Sequence, residues 1–416
     1  MHTEYKRMKY KNKVHLILGV IILISFIIEL VLILKYQNRL TLSSDDLNYV
    51  KSAVVLIKRG IYTFHNLNEP TVFVTPTYPF FIALIFKVFG YGLRGIQAVR
   101  IIQAVFSCVT ILLTYLIAKE LFNEKVGLLA SFFVAFYIPN IITVGFVLTE
   151  TLFTMLLCLL IYSSLLIAKR PNKARFALLG VLWAVITLCR PTIALYPVML
   201  FIYLFWEKRL KVVEMVKLGS IMFIMFAVIM SPWWIRNYLE YGEFIPLAAS
   251  SGNPFLQGTY INYEQTPENV VYYKLGKNAF ETNETEVEVA KMRIKQGFKK
   301  DFWRYLKWYT IDKAWLLWGT VFYWKQFFGI SSNFVILNHY FLIFSSILGI
   351  LILLFKSLKR YSLIIMLLLY YTAVHCVYMA FDRYAFPLIP LITIISSYFF
   401  ITVLNAGKKL VCTCKT

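Results

Sequence analysis

From Val14 to Leu34 the sequence carries a single formal charge, Glu29, and apolar runs of this kind recur up to residue 237 and again after about 333. A backbone surrounded by hydrocarbon must satisfy every N–H and C=O internally, and only helices and closed barrels do so. These runs are unbroken rather than alternating, so helices are expected. Composition agrees: 59% of the 416 residues are hydrophobic and only 15% are charged, with mean hydropathy +0.67, outside the range of soluble domains. The chain reads as an all-α polytopic membrane protein. Spans are expected near 14–34, 96–118, 126–146, 151–168, 174–190, 192–206, 216–235, 334–355, 361–379 and 386–405, about ten within a range of nine to twelve.

The net charge of +22 does not signal nucleic acid, because the Lys and Arg residues fall between apolar runs instead of on one soluble face. They set topology. Lys6, Arg7, Lys9, Lys11 and Lys13 precede the first run; the clusters Lys119/Lys125, Lys169/Arg170/Lys173/Arg175, Lys208/Arg209/Lys211/Lys217, Lys356/Lys359/Arg360 and Lys408/Lys409 occupy alternate connections. The positive-inside rule then places both termini in the cytoplasm. The first run is followed by no small-residue cleavage site and reads as an uncleaved span. The expected organisation is a basic cytoplasmic tail over 1–13, a transmembrane module over 14–237 with a first outer loop at 35–95, an extracytoplasmic segment with interfacial helices over 238–332, and C-terminal spans with a short cytoplasmic tail over 333–416. Cys108, Cys158, Cys189 and Cys376 lie in expected spans, and Cys412/Cys414 form a Cys-x-Cys pair in the basic tail, so no disulfide framework is expected.

The remaining connections, facing outward on this topology, hold the unusual polar residues: Asp45 and Asp46, Glu150 after Val-Leu-Thr, Arg190 in Cys-Arg-Pro-Thr, Arg236 in Pro-Trp-Trp-Ile-Arg-Asn, and Arg383-Tyr384 after Asp382. Thr75–Gly90 is apolar but short and bounded by proline and glycine, as for a helix lying in or dipping into the interface. In the long segment, Val287, Ala290, Ile294 and Phe298 share a helical face, and the aromatic block 302–324 reads as a helix at the water–lipid boundary. Asn283 opens an Asn-Glu-Thr triplet of the kind that accepts glycans. Ser250–Gly258 is turn-rich, with Gly252, Asn253 and Gly258 suited to backbone shapes other residues avoid.

Ser43 or Ser44 can cap a helix whose first turn carries Asp45 and Asp46, where acids favour the helix dipole. On that helix Asp45, Tyr49, Ala53 and Leu56 fall on one stripe, with Asp46 about 100° away. Asp45 is therefore either a helix-start acid or a general base held at the membrane surface. Arg190, Arg236 and Arg383 stand at span ends, suited to gripping a phosphate or to anchoring at the interface. Glu150 is a site acid or a complement to its own helix dipole. His65, alone in the first loop, reads as structural, with a site role as the alternative. Asp45, Asp46 and Glu150 are hard oxygen donors on one side, so a divalent metal on Asp46 and Glu150 is a further expectation.

The run D-D-x-x-Y-x-x-x-A-x-x-L-x-x-G over Asp45–Gly60 resembles the first outer loop of GT-C fold, lipid-carrier-dependent glycosyltransferases, the group that includes protein O-mannosyltransferases, the lipid A aminoarabinose transferase and bacterial lipopolysaccharide-core transferases. The likeness extends to TPTYPFFIAL at 75–84, AKELFNEKVGLLAS at 118–131, LTETLF at 148–153, LCRPT at 188–192, PWWIRNYLEYGEFIPL at 232–247 and RYAFPLIP at 383–390. It implies an inverting transferase that passes a sugar from a polyprenyl-phosphate carrier to a glycan, lipid or protein hydroxyl at the outer surface, in cell-envelope polysaccharide synthesis, while the Lys-rich composition with an uncleaved first span fits a bacterial plasma membrane. Asp45 aligns with the proposed base. Tyr49, Glu150, Arg190, Arg236, Arg383, Tyr384 and Asn253 are the expected substrate-binding residues. The sequence departs from the aminoarabinose transferases at Thr75, where they carry a lysine proposed to contact carrier phosphate; the arginines, or Lys58 and Arg59, would take that role. No P-loop or glycine-rich nucleotide turn occurs. The alternatives are a lipid or small-solute transporter or flippase, for which Glu29 is the main in-span charge and no internal repeat is found, and a polysaccharide polymerase or ligase of similar architecture.

Overall fold

The computed structural model describes residues 2–207, 210–356 and 358–413, with side chains described over 12–408 apart from 208, 209 and 357. The side chains of Lys6, Arg7, Lys9, Lys11, Lys208, Arg209, Lys409, Cys412 and Cys414 lie outside that range. All regular structure among the described residues is helical. The first half runs α1 (His2–Tyr36), α2 (Asp45–Arg59), α3 (Thr77–Phe89), α4 (Leu93–Leu121), α5 (Glu124–Phe136), α6 (Ile138–Thr143), α7 (Thr149–Lys169), α8 (Lys173–Thr187), α9 (Tyr196–Trp206) and α10 (Val212–Tyr241). Then follow α11 (Gly252–Gln257), α12 (Ala279–Lys300), α13 (Phe302–Lys307), α14 (Lys313–Trp318), α15 (Ser332–Leu354), α16 (Leu358–Val377), α17 (Asp382–Ala385) and α18 (Ile389–Thr413).

Among the described residues, seven helical stretches are long and apolar enough to cross a membrane: 12–39, 93–121, 149–169, 212–241, 332–354, 358–377 and 382–408. The three other positions read as spans hold shorter helices. The run 126–146 is broken because Pro139 has no N–H to return to the Ala135 carbonyl. Tyr137 turns extended at φ −71°, ψ 110°. The carbonyls this break frees are taken by side chains: Asn140 donates to Val134 O at 3.0 Å and Ser25 to Ala135 O at 3.2 Å. In α10, by contrast, Pro232 leaves the helix continuous, and the Ser231 hydroxyl donates to the carbonyl of Val228, the one that Pro232 cannot reach. α8 and α9 replace the spans read at 174–190 and 192–206; their polar break at Cys189–Arg190 serves the site described below.

One apolar core joins α1–α10 to α15–α18, from Leu32 to Tyr398. The bundle has two chemically different ends. At one, Lys169 pairs with Glu120 at 2.5 Å, Lys119 with Glu124 at 2.8 Å, and Arg360 donates to the Glu120 carbonyl at 3.0 Å. The other end gathers the start of α2, the start of α7, the α8–α9 connection and α17. α12 to α14 belong to this second end through Trp308, whose indole donates to Gly258 O, and Tyr263, whose hydroxyl bonds the backbone of Ala380. The aromatic block is not one helix: α13 passes through a π-turn at Trp308–Asp312 into α14, and 319–331 is largely non-helical.

Candidate functional site

α2 starts where the sequence places it, but Ser44, at its N-cap position, makes no side-chain cap. The Asp46 carboxylate does the work instead, accepting from Leu42 N at 2.9 Å, Ser44 N at 2.9 Å and the Thr41 hydroxyl at 2.5 Å. Asp46 is buried and folds the loop back on itself, which leaves Asp45 as the free acid at the helix tip. Lys325 clamps the same loop from outside, donating to Thr41 O at 2.8 Å.

Asp45 opens into a cavity of about 200 Å³ that is also lined by Tyr49, Thr75, Thr149, Arg190, His375, Arg383 and Tyr384. Arg383 holds the centre. Its Nη1 donates to Asp45 Oδ2 at 2.8 Å and its Nε donates to Glu150 Oε1. Arg190 donates from Nη2 to the same Glu150 oxygen and from Nε to Thr149 Oγ1 at 2.8 Å. Arg190 reaches that position because it precedes Pro191, and a residue before proline is pushed to extended backbone; its φ of −147° and ψ of 118° turn the chain out of α8. Glu150 is fully buried at the start of α7, whereas the Asp45 side chain is 38% exposed and its second oxygen accepts no hydrogen bond from the described residues. Two guanidinium groups thus balance two carboxylates, one sealed and one presented. Tyr49 lies edge-on to Phe64 and Tyr78 at 5.0 and 5.1 Å, and burial, with the Asp45 charge adding to it, raises its hydroxyl well above the ordinary tyrosine value, so it stays protonated.

Tyr384 stacks on His375 with centroids 4.6 Å apart. His375, Tyr371 and Thr149 are cavity residues that the sequence reading passed over. Tyr371 and His375 are one helical turn apart near the end of the run 361–379, the same end that carries Arg383, and that spacing is the signal that was available.

Three expectations are corrected. Asn253 is not in the cavity: it donates to Glu286 at 3.3 Å, on the α11–α12 seam. Gly252 and Gly258 are needed for close approach, not unusual φ, since a Cβ on Gly258 would stand 1.9 Å from Tyr378 O. The metal donor set is not assembled, because Asp46 is consumed by its loop and Glu150 by two arginines; among the described residues no group of three or more His, Cys, Asp or Glu could hold a metal ion. Arg236 stands next door, in a cavity of about 320 Å³ lined by Tyr62, Pro76, Phe80, Leu188 and Trp233, where it donates to Thr71 O at 2.7 Å. Arg59 binds Leu67 O and Asn68, Lys58 covers Tyr91, and His65 packs on Phe64 and Phe73, so none of these lines either cavity. Asn283 spends its amide oxygen on Gly252 N. Glu29 is buried against Ser107 at 2.6 Å, outside the cavity lining.

Residues 71–235 match the family model described as dolichyl-phosphate-mannose-protein mannosyltransferase. Among solved structures, the archaeal oligosaccharyltransferase AglB from Archaeoglobus fulgidus, in complex with an inhibitory peptide and a dolichol-phosphate, aligns with a TM-score of 0.59 at 15% identity, covering 94% of this chain and 50% of that one. The chain has the GT-C fold. The apo form of the Archaeoglobus fulgidus oligosaccharyltransferase gives a TM-score of 0.56 at 14% identity, over 94% of this chain and 51% of that one. ArnT from Cupriavidus metallidurans bound to undecaprenyl phosphate gives 0.44 at 13%, over 91% and 77%. The GT-C chain described here therefore spans about half the length of the oligosaccharyltransferases it matches. No curated protein matches it in sequence at a significant level.

Proposed function

We propose that this GT-C chain is a membrane glycosyltransferase that moves a sugar from a polyprenyl-phosphate carrier to an acceptor hydroxyl at the extracytoplasmic face, with inversion and with Asp45 as general base. The observation that carries the reading is Asp45 itself: one carboxylate oxygen is held by Arg383 and the other is free, at a cavity that also presents Arg190. The acceptor O–H would give its proton to the free oxygen as its own oxygen bonds the anomeric carbon from the face opposite the phosphate. The carbon–oxygen bond to phosphate breaks, and the phosphate departs as an anion, so no second acid is required. Arg383 keeps the base in place while Arg190 faces the charge that develops.

Support for a lipid donor comes from the neighbouring cavity, whose wall is apolar apart from Thr77, the Tyr62 hydroxyl and Arg236. An isoprenoid chain fits such a wall, with its phosphate at Arg236, and this arrangement supplies a cation where Thr75 leaves none. AglB, on the same fold, is seen with a dolichol-phosphate.

Membranes with and without the protein, supplied with radiolabelled polyprenyl-phosphate sugars, test the reading by whether label leaves the carrier and onto what. Asp45→Asn is expected to abolish transfer while the protein still inserts. Full activity in that variant would overturn the assignment of the base, and carrier that crosses the bilayer without losing its sugar would favour a flippase.

A further inference from the structure

The connection between α7 and α8 closes over a groove of about 340 Å³ whose lining, Leu159, Leu166, Leu178 and Leu182 among others, is apolar except for Ser163 and Arg175. Leu166 and Leu178 are exposed on its rim, so the groove opens to the surroundings of the bundle. It lies at the basic end, where Lys169 meets Glu120, and α7 carries at its other end Glu150, which pairs with Arg190 and Arg383 of the cavity.

The basic residues at the mouth are held, yet uncompensated. Asn172 caps α8 by accepting from Arg175 N at 2.9 Å. The Arg175 side chain then turns back over the end of α7, and its Nη1 donates to Arg170 O at 2.8 Å and, at 3.4 Å, to Leu166 O, which also accepts from Arg170 N. This fixes the guanidinium at the groove mouth with Nη2 and Nε uncommitted. Arg170 and Lys173 are exposed beside it, and among the described residues none of these three has a carboxylate partner; the nearby acids Glu120 and Glu124 are paired with Lys169 and Lys119. Three cations at the mouth of an apolar groove on a membrane-facing surface match a lipid with a negative headgroup.

We propose that the α7–α8 groove seats one phospholipid with an anionic headgroup, its acyl chain along the leucines and its phosphate at Arg170, Lys173 and Arg175. Ser163 lies six residues, about 9 Å, before the end of α7, at a depth suited to donating a hydrogen bond to a glycerol ester carbonyl. The seat is independent of the transfer reading.

Native mass spectrometry of the detergent-solubilised full chain tests this, with phosphatidylglycerol and phosphatidylcholine as probes. One phosphatidylglycerol is expected to stay bound under conditions that strip phosphatidylcholine. The double variant R170Q/K173Q changes only exposed side chains and should weaken retention about twenty-five-fold, at roughly a factor of five per charge. S163F fills the groove without altering charge and should also remove the bound lipid. Equal retention of both lipids, or retention unchanged in both variants, overturns the proposal. Displacement by glycerol 3-phosphate at equal concentration also overturns it, since the site would then recognise a phosphate and not a lipid.

Discussion

Replacing Glu150 with glutamine tests the central cluster most directly. The wild-type group is electrically balanced, Asp45 and Glu150 against Arg190 and Arg383, and Glu150 is its fully buried member. E150Q leaves two guanidinium groups around a neutral amide, with only Asp45 to balance them. Removing one partner of a buried ion pair costs about 3–5 kcal/mol, because the remaining charge keeps its desolvation penalty and loses its compensation. The arginine side chains are 12% and 16% exposed, so water relieves part of that penalty, and the low end, about 3 kcal/mol, is expected. Adding R190M removes the surplus charge, so the double variant should be more stable than the sum of the singles by at least about 1 kcal/mol. Unfolding in mixed micelles by titrated SDS, followed by tryptophan fluorescence, supplies all four corners of the cycle. A cost below about 1 kcal/mol for E150Q, or strict additivity with R190M, would refute the argument that charge balance holds this cavity together.

Asp46→Ala removes three hydrogen bonds from the loop before α2 and should cost about 2 kcal/mol or more, with lowered transfer that Asp46→Asn partly restores, whereas Asp45→Asn, at a carboxylate 38% exposed, should cost less stability than E150Q and abolish transfer. Lys313 is fully enclosed, donating to Cys376 O at 2.9 Å and Tyr378 O at 2.6 Å, and burial pushes it down to about 7. An unfolded lysine titrates near 10.4, so between about pH 7 and 10.4 the unfolded chain binds a proton that the fold does not, and stability rises with pH over that window. Lys313→Met should flatten the rise; an unchanged slope in a pH series of unfolding curves would contradict the assignment. Gly258→Ala forces a methyl against the Tyr378 carbonyl and should cost about 1–3 kcal/mol, read in the same unfolding assay, by pushing the α11–α14 segment off the loop that leads to Arg383.

Helix type and the approximate place of the seven long apolar helices among the described residues were legible because a backbone in lipid must satisfy its hydrogen bonds internally and the runs are unbroken. Span length was less so, and Pro139 shows why. A proline can interrupt a run, as at 137–139, or leave it continuous, as Pro232 does, and at both sites neighbouring hydroxyl or amide groups take up the freed carbonyls, so the packing around the proline decides which occurs. That is a matter of side-chain placement, which periodicity does not report.

Asp45, Tyr49, Glu150, Arg190, Arg383 and Tyr384 were legible in the sequence from polar residues beside apolar runs together with the family resemblance, and the fold brings them to one end of the bundle. What the sequence could not decide was partnership. Asp45 and Asp46 are adjacent in the chain, yet a helix start turns one into its own loop and the other toward Arg383, which is 338 residues away. Asn253, Lys58 and Arg59 carry suitable chemistry, but the packing of α11 on α12 and the exposed end of α2 keep them out of the cavity. Composition and period act locally and fix which residues reach the site end. Which of them share a charge is set by long-range contacts, and only the folded chain supplies those.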